Sequence, residues 1–350
     1  MHDLGSSFPN ATGHPYGRDE SMPIEECGNM LIMGLALIDS LKYDTKPVNL
    51  WSASGKENYI EPHAGKFSLH VDRDGMDDTF GGSFHAKVEN QAQRWVERST
   101  NQLSTDDFAA WLASQTNLAL DGIIGIRTVA EISALVGEIV DTKYYLNISR
   151  TNLDLWQNDY AISRDGTHAK LAYTWYGSWT TLFNLFTDAL LYFHIPLKSR
   201  PLSTLDPLQA ALTETRISRT AFVDEKIYRI QSDWYHEVRQ RYGLPLDSRH
   251  IYAKCDWEFF AVAVSSQQVR KDVVQSIALW VNETYTDRPL TDLYDTEGTG
   301  GYPGFTFRAR PVVGGHFTFL ALERACDGEA VAALSLLDEV TSVVGERIEL

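Results

Sequence analysis

The chain has 350 residues, 43% hydrophobic and 11% aromatic, with a formal charge of −16. That is enough apolar material for a large buried core, and it excludes a disordered or fibrous chain. The acidic excess repels nucleic-acid phosphates and anionic lipid headgroups, so neither nucleic acid nor a membrane is expected as a partner.

In chain order, the opening residues carry neither a basic nor an apolar leader segment. Pro23, Glu25 and Glu26 then precede an apolar run through Leu31, Leu35 and Ile38. Proline and acid at the positive end predict a helix start. The run itself falls well short of the ~18 residues of a membrane span. Residues 46–90 hold five glycines and no clear periodicity apart from 66–71 (KFSLHV), which alternates like a strand. A structureless connection of that length counts against an ordinary loop. Ser104 or Thr105 can cap a helix carrying Asp106, Asp107, Phe108 and Trp111, and residues 116–136 are apolar on most faces, as in a helix buried within a larger assembly. Residues 141–160 read as amphipathic. Further helices are expected over 179–193, 233–242, 256–264, 269–284 and 314–324, while 198–224 is polar with two prolines and little to bury. The fold class is therefore mainly α.

The common local signatures of chemistry fail. GTGGYPG at 298–304 lacks the glycine spacing of a dinucleotide loop and reads as a flexible turn, and there is no nucleophile elbow, Walker loop or H-E-x-x-H pair. His63, His70 and His85 lack ligand spacing, and Asp72, Asp74, Asp77 and Asp78 miss the calcium-loop register, so no metal or other cofactor is expected. Three cysteines, Cys27, Cys255 and Cys326, are too scattered for a disulfide framework and read as small buried fillers. Sequons at Asn10, Asn147 and Asn282 fit an exported, glycosylated parent.

What remains is carboxylates at helix starts beside aromatics: Glu25 and Glu26, Asp106 and Asp107, then Asp256, Trp257 and Glu258 just after Asp247, Arg249, His250 and Lys254. Hydrolysis needs this equipment, since one acid protonates a leaving group while another carboxylate activates water or attacks. Arg249, Lys254 and Arg310 can grip a substrate carboxylate. Trp175, Tyr176, Trp179 and Trp257 can form a platform for a small polar ligand, whereas Trp111, Trp156 and Trp280 read as core. Acids in a first turn also stabilise a helix through its dipole with no catalysis. Three such groups in one chain keep the hydrolytic reading open.

At these residues the chain resembles a known family. HDLGSSFPNATGHPYGRDESMPIEECGNMLIM, NQLSTDDFAAWLASQTNLALDGIIGI, YGLPLDSRHIYAKCDWEFFAVAV and PLTDLYDT followed by RARPVVGGHFTFLAL look like the fungal and bacterial glutaminase A family. The resemblance implies an (α/α)6 toroid of the six-hairpin glycosidase-like superfamily and hydrolysis of L-glutamine to L-glutamate and ammonia by a secreted, typically fungal enzyme. It also implies a signal, a β-rich domain and the first hairpins ahead of HDLG, so the ring is expected to be incomplete at its N-terminus and the chain to be part of a longer parent. Residues 1–350 then form a single partial toroid domain, with 46–90 and 198–224 as insertions or retained introns. Matched positions are Asp3, His14, Asp19, Glu20, Glu25, Glu26, Asp106, Asp107, Asn117, Asp247, Arg249, His250, Lys254, Asp256 and Arg310. Acid/base work is expected of the Glu25/Glu26, Asp106/Asp107 and Asp256 groups. Substrate binding is expected of His14, Asp19, Asn117, Asp247, Arg249, Lys254, Trp257 and Arg310, with the two arginines and the lysine on the α-carboxylate. A glycoside hydrolase of the same superfamily and an inactive fragment are the alternatives.

Overall fold

The computed structural model describes residues 24–43, 48–50, 58–60, 112–136, 138–195, 221–301, 307–308 and 310–338. Three helices open the described part: α1 (Ile24–Tyr43), α2 (Thr116–Val136) and α3 (Ile139–Leu155), the last running into a π turn at Trp156–Tyr160. Between α1 and α2 lies a two-stranded ribbon in which β1 (Val48–Leu50) pairs antiparallel with β2 (Asn58–Ile60), Val48 opposite Ile60. α1 and α3 both pack on α2, and the contact is apolar, with Leu31, Leu35, Leu120, Ile123, Ile124 and Leu153 all buried. Burial on this scale carries most of the helices' stability, because isolated helices of this length are marginal in water. Trp156 is core as expected, its indole N–H donating to the Thr116 carbonyl at 2.9 Å. Inside α2 the buried pair Arg127 and Glu131 is spaced i,i+4, and the Arg127 guanidinium lies 4.7 Å from the Phe193 ring centroid.

The remainder is built around one short helix. After α4 (Leu185–Leu190) and α5 (Glu225–Val238), a three-residue strand β3 (Tyr252–Lys254) leads straight into α6 (Cys255–Ala263). α7 (Gln267–Glu283) returns, and β4 (Leu293–Asp295) pairs antiparallel with β3, Lys254 facing Leu293. A 3-10 turn (Pro311–Phe317) and α8 (Thr318–Arg324) follow, then α9 (Glu329–Ala333) between two further 3-10 turns. α6 touches β3, α4, α7, α8 and the 311–317 turn, so its residues are held from every side. Caps fix its neighbours: Asp224 accepts from the Lys226 N–H at 2.8 Å to open α5, and the Ser266 hydroxyl accepts from the Val269 N–H to open α7.

The structure corrects three expectations. Only 185–190 of the expected 179–193 helix forms, because neighbouring segments take the backbone groups of the earlier residues. Thr181 N–H donates to Leu246 O at 2.9 Å, Ser248 N–H to Trp179 O at 3.1 Å, and Leu182 N–H to the Tyr235 hydroxyl at 2.8 Å. α5 starts at 225 rather than 233, since Asp224 caps it and Ile227, Tyr228 and Tyr235 bury one face. The end of the polar 198–224 stretch belongs to the fold, with Phe222 and Val223 buried and Arg150 donating to the carbonyls of Ala221 and Phe222 at 3.0 and 2.9 Å. The strand expected at 66–71 and the helix at 104–111 lie outside the described residues. No described helix is long and apolar enough to cross a membrane.

Candidate active site

Four charged side chains meet where β3 becomes α6. Lys254 Nζ lies 3.0 Å from Asp292 Oδ2 and 3.3 Å from Asp256 Oδ1. Arg310 closes on Asp292 from the other side, with Nε 3.0 Å from Oδ1 and a terminal nitrogen 2.5 Å from Oδ2, the bidentate geometry a guanidinium favours. Lys254, Asp256 and Asp292 are buried, whereas the Arg310 side chain is 33% exposed, so the cluster meets solvent at the arginine. Backbone pairing sets these positions: Cys255 N–H donates to Asp292 O at 2.9 Å, and Asp292 N–H donates to Phe307 O at 3.0 Å.

Asp256 occupies the first turn of α6, where the helix dipole favours a carboxylate. Burial nevertheless wins and pushes its proton affinity above the ordinary aspartate range, with Lys254 opposing. Asp292 shows the reverse outcome. Burial works to raise it, but the bonds from Arg310 and Lys254 hold it below the usual value. One carboxyl that retains a proton more readily thus stands beside one that stays ionised, a division of labour suited to proton transfer. Trp257 forms a wall, stacked on Phe183 with ring centroids 4.5 Å apart and 5.0 Å from the Lys254 ammonium. Gly315 of the 3-10 turn sits directly on Asp256, and a Cβ there would lie 2.6 Å from the Asp256 Cα. The next residue, His316, is lowered in proton affinity by burial, with the Asp256 charge opposing, and its ring lies 4.7 Å from that of Phe259.

The other expected residues have the partners given next or lie outside the described residues. Arg249 pairs with Asp247 in its own loop, Nε to Oδ1 at 2.9 Å and a terminal nitrogen to Oδ2 at 2.6 Å, so the loop supplies this guanidinium with a carboxylate. His250 stacks on Tyr252 at 4.5 Å. Asn117 is buried and joins α2 to the start of α4, its Oδ1 accepting from the Asn184 N–H at 3.1 Å. Trp175 and Tyr176 are 44% and 72% exposed, and Trp179 meets Trp234 edge-on. Asp3, His14, Asp19, Glu20, Asp106 and Asp107 lie outside the described residues, as do the side chains of Glu25 and Glu26, whose backbone opens α1. Among the described residues no group of three or more His, Cys, Asp or Glu can hold a metal ion. Cys255 is buried and its thiol is pushed up to about 12 by burial and then by Asp256, in keeping with a filler.

Sequence reasoning missed Asp292. Its signal was an acid between Leu290 and Leu293 in PLTDLYDT, since a carboxylate set into an apolar strand requires a cation. Two residues along α6 from Asp256, Glu258 has another role. Its Oε1 accepts from Leu244 N–H at 2.6 Å, and its Oε2 lies 2.7 Å from the Tyr294 hydroxyl, which is also 3.1 Å from the Tyr242 carbonyl. A single phenolic proton serves only one of those oxygens. A protonated Glu258 resolves the count by donating to Tyr294, which then donates to Tyr242. Complete burial pushes Glu258 up to about 8 despite both bonds.

The paired helices are those of a helical-hairpin domain, and the chain belongs to the glutaminase A six helical-hairpin domain family, whose model matches residues 1–52, 94–199 and 208–320. It is 51% identical over 371 aligned positions to the probable glutaminase of Arthroderma benhamiae, covering 97% of this chain and 42% of that protein. It is 37% identical over 329 positions to glutaminase A of Aspergillus oryzae, covering 92% of this chain and 38% of that protein. The chain thus spans about two fifths of the length of these relatives. No solved structure matches it.

Two predictions follow from the packing around α6. Glu258 binds its proton more tightly folded than unfolded, so its contribution is fully present below pH about 4.5 and is lost as pH rises toward about 8. Glu258→Gln reproduces the protonated hydrogen bonds without titrating. Its stability relative to the wild type should therefore grow by roughly 1 kcal/mol per pH unit across that window in denaturant titrations. A constant difference would show that Glu258 is ionised throughout. Gly315→Ala must push the 311–317 turn off Asp256, at a cost of about 1–3 kcal/mol from overpacking. An unchanged denaturation midpoint would refute that contact.

Proposed function

We propose that this chain forms part of a glutaminase-like amidohydrolase that converts L-glutamine and water to L-glutamate and ammonia. Family membership and the relatives' names support the reaction class. The observation that carries the chemistry is Asp256, a buried carboxyl of raised proton affinity at a helix start, 3.3 Å from an ammonium. Amide hydrolysis requires attack on the carboxamide carbon and a proton for the departing nitrogen, because an amide ion is too basic to leave. A carboxyl that holds its proton closer to neutrality is suited to that delivery.

In this reading Asp256 protonates the leaving nitrogen, and a carboxylate of the Glu25/Glu26 or Asp106/Asp107 groups activates water. Arg310, the partly exposed member of the cluster, takes the substrate α-carboxylate, with Lys254 adding positive potential and Trp257 walling the site. The charge-neutral Asp247–Arg249 loop then serves to shape the region. Asp256→Asn in the full-length parent should lower kcat for ammonia release by about 100- to 10,000-fold with little change in KM. Near-wild-type turnover, or sugar release from oligosaccharides without ammonia from glutamine, would sink the reading.

The same proposal has the parent exported and glycosylated. Asn147 and Asn282 stand exposed on α3 and α7, where a glycan meets no packed neighbour. Peptide mapping of the protein from its native host should find glycan at one or both sites, and bare asparagine at both would count against export through a glycosylating pathway.

A further inference from the structure

We propose that Asp292 is a positioning residue for this site, holding the Lys254 ammonium and the Arg310 guanidinium in place and thereby controlling the protonation of Asp256. The inference rests on the reading of Asp256 as the acid/base group and names the residue that regulates it.

Both oxygens of Asp292 are engaged. Oδ1 accepts from Arg310 Nε, and Oδ2 receives Lys254 Nζ and the second arginine nitrogen. Its main chain is fixed at both ends, to the first residue of α6 and to Phe307. Among the described carboxylates that reach the ammonium, Asp292 is nearer than Asp256, at 3.0 Å against 3.3 Å. A lysine reaches its position through four flexible carbons, so an anchored carboxylate is what converts that reach into one location. Asp292 also turns the guanidinium of Arg310, the member of the cluster that meets solvent, toward its bidentate pose.

The charge count gives the direction of control. With Asp256 ionised, two cations and two carboxylates balance, and with Asp256 protonated the cluster carries one net positive charge. The charge on Asp292 is of the same sign as that on ionised Asp256, so it opposes the cations and favours the protonated form of Asp256. Among the described residues the groups facing Asp256 are Lys254 from β3, Asp292 from the start of β4, His316 from the 3-10 turn, Arg310 acting through Asp292, and Cys255 on its own helix. His316 is a second titratable group whose charge couples to Asp256, so the measurement uses a His316→Asn background.

The experiment is the pH profile of kcat for ammonia release by the full-length parent at saturating glutamine. Asp292→Asn removes a negative charge and should move the limb assigned to Asp256 to lower pH by about one pH unit. Arg310→Met removes a positive charge and should move the same limb to higher pH, whatever it does to KM. Opposite displacements support the proposal. If both limbs stay in place while kcat and thermal stability fall together, Asp292 is merely structural and the proposal is overturned. Should Asp292→Asn fail to fold, the Arg310→Met limb alone decides, an unmoved limb counting against. Loss of activity in Asp256→Asn with unmoved limbs defeats only this inference, whereas full activity in Asp256→Asn defeats the reading beneath it.

Discussion

A lysine ammonium taken out of water dominates the architecture around α6. Moving an isolated charge into a protein interior costs several kcal/mol even after relaxation, and that cost is offset only when carboxylates meet it with good geometry. Lys254 is 3% exposed and stands beside the partial positive charge of the α6 N-terminus, which makes the demand for negative charge larger still. Asp292 and Asp256 answer it, and Arg310 balances the resulting excess. The three-residue β3–β4 pairing and the tight seat of the 311–317 turn are the means by which the backbone brings these four groups together.

Two acids on one short helix take opposite parts. Asp256 faces the Lys254 ammonium, while Glu258 faces a backbone N–H and a tyrosine in a fully closed space. To the first the proposed reaction assigns proton exchange with the substrate. The second has the surroundings of a neutral hydrogen-bonding residue that ties α6 to the Tyr242–Leu244 turn. Gly243 belongs to this arrangement, since a Cβ there would lie 2.2 Å from Glu258 Oε1 at a backbone φ of +153°. Equal side-chain chemistry thus yields different functions according to what surrounds it.

The helices were largely legible in the sequence because apolar periodicity and end signals agree there: α2 was expected over the residues it occupies, and α6 and α7 within one or two positions. Residues 179–184 were not, because local propensity is overridden when a distant segment supplies better hydrogen-bond partners. Lys254, Asp256, Trp257 and Arg310 were legible as candidates through their chemistry and order in the chain. Asp292 was hidden because its meaning depends on a partner 38 residues earlier, which no local pattern encodes. The pairing of Arg249 with Asp247 across two residues was not legible, being a turn geometry that residue type alone does not reveal.

The chain order of the cluster imposes a schedule on synthesis. Lys254 and Asp256 leave the ribosome well before Asp292 and Arg310, and a chain emerging at several residues per second leaves time for each segment to sample structure as it appears. Until the later two residues are out, the first turn of α6 has an ammonium with half its complement of carboxylate, so sealing it into the core is unfavourable and the turn stays hydrated. Closure of this end of the molecule is therefore expected to wait for Asp292 and Arg310 rather than to follow directly on the formation of α6.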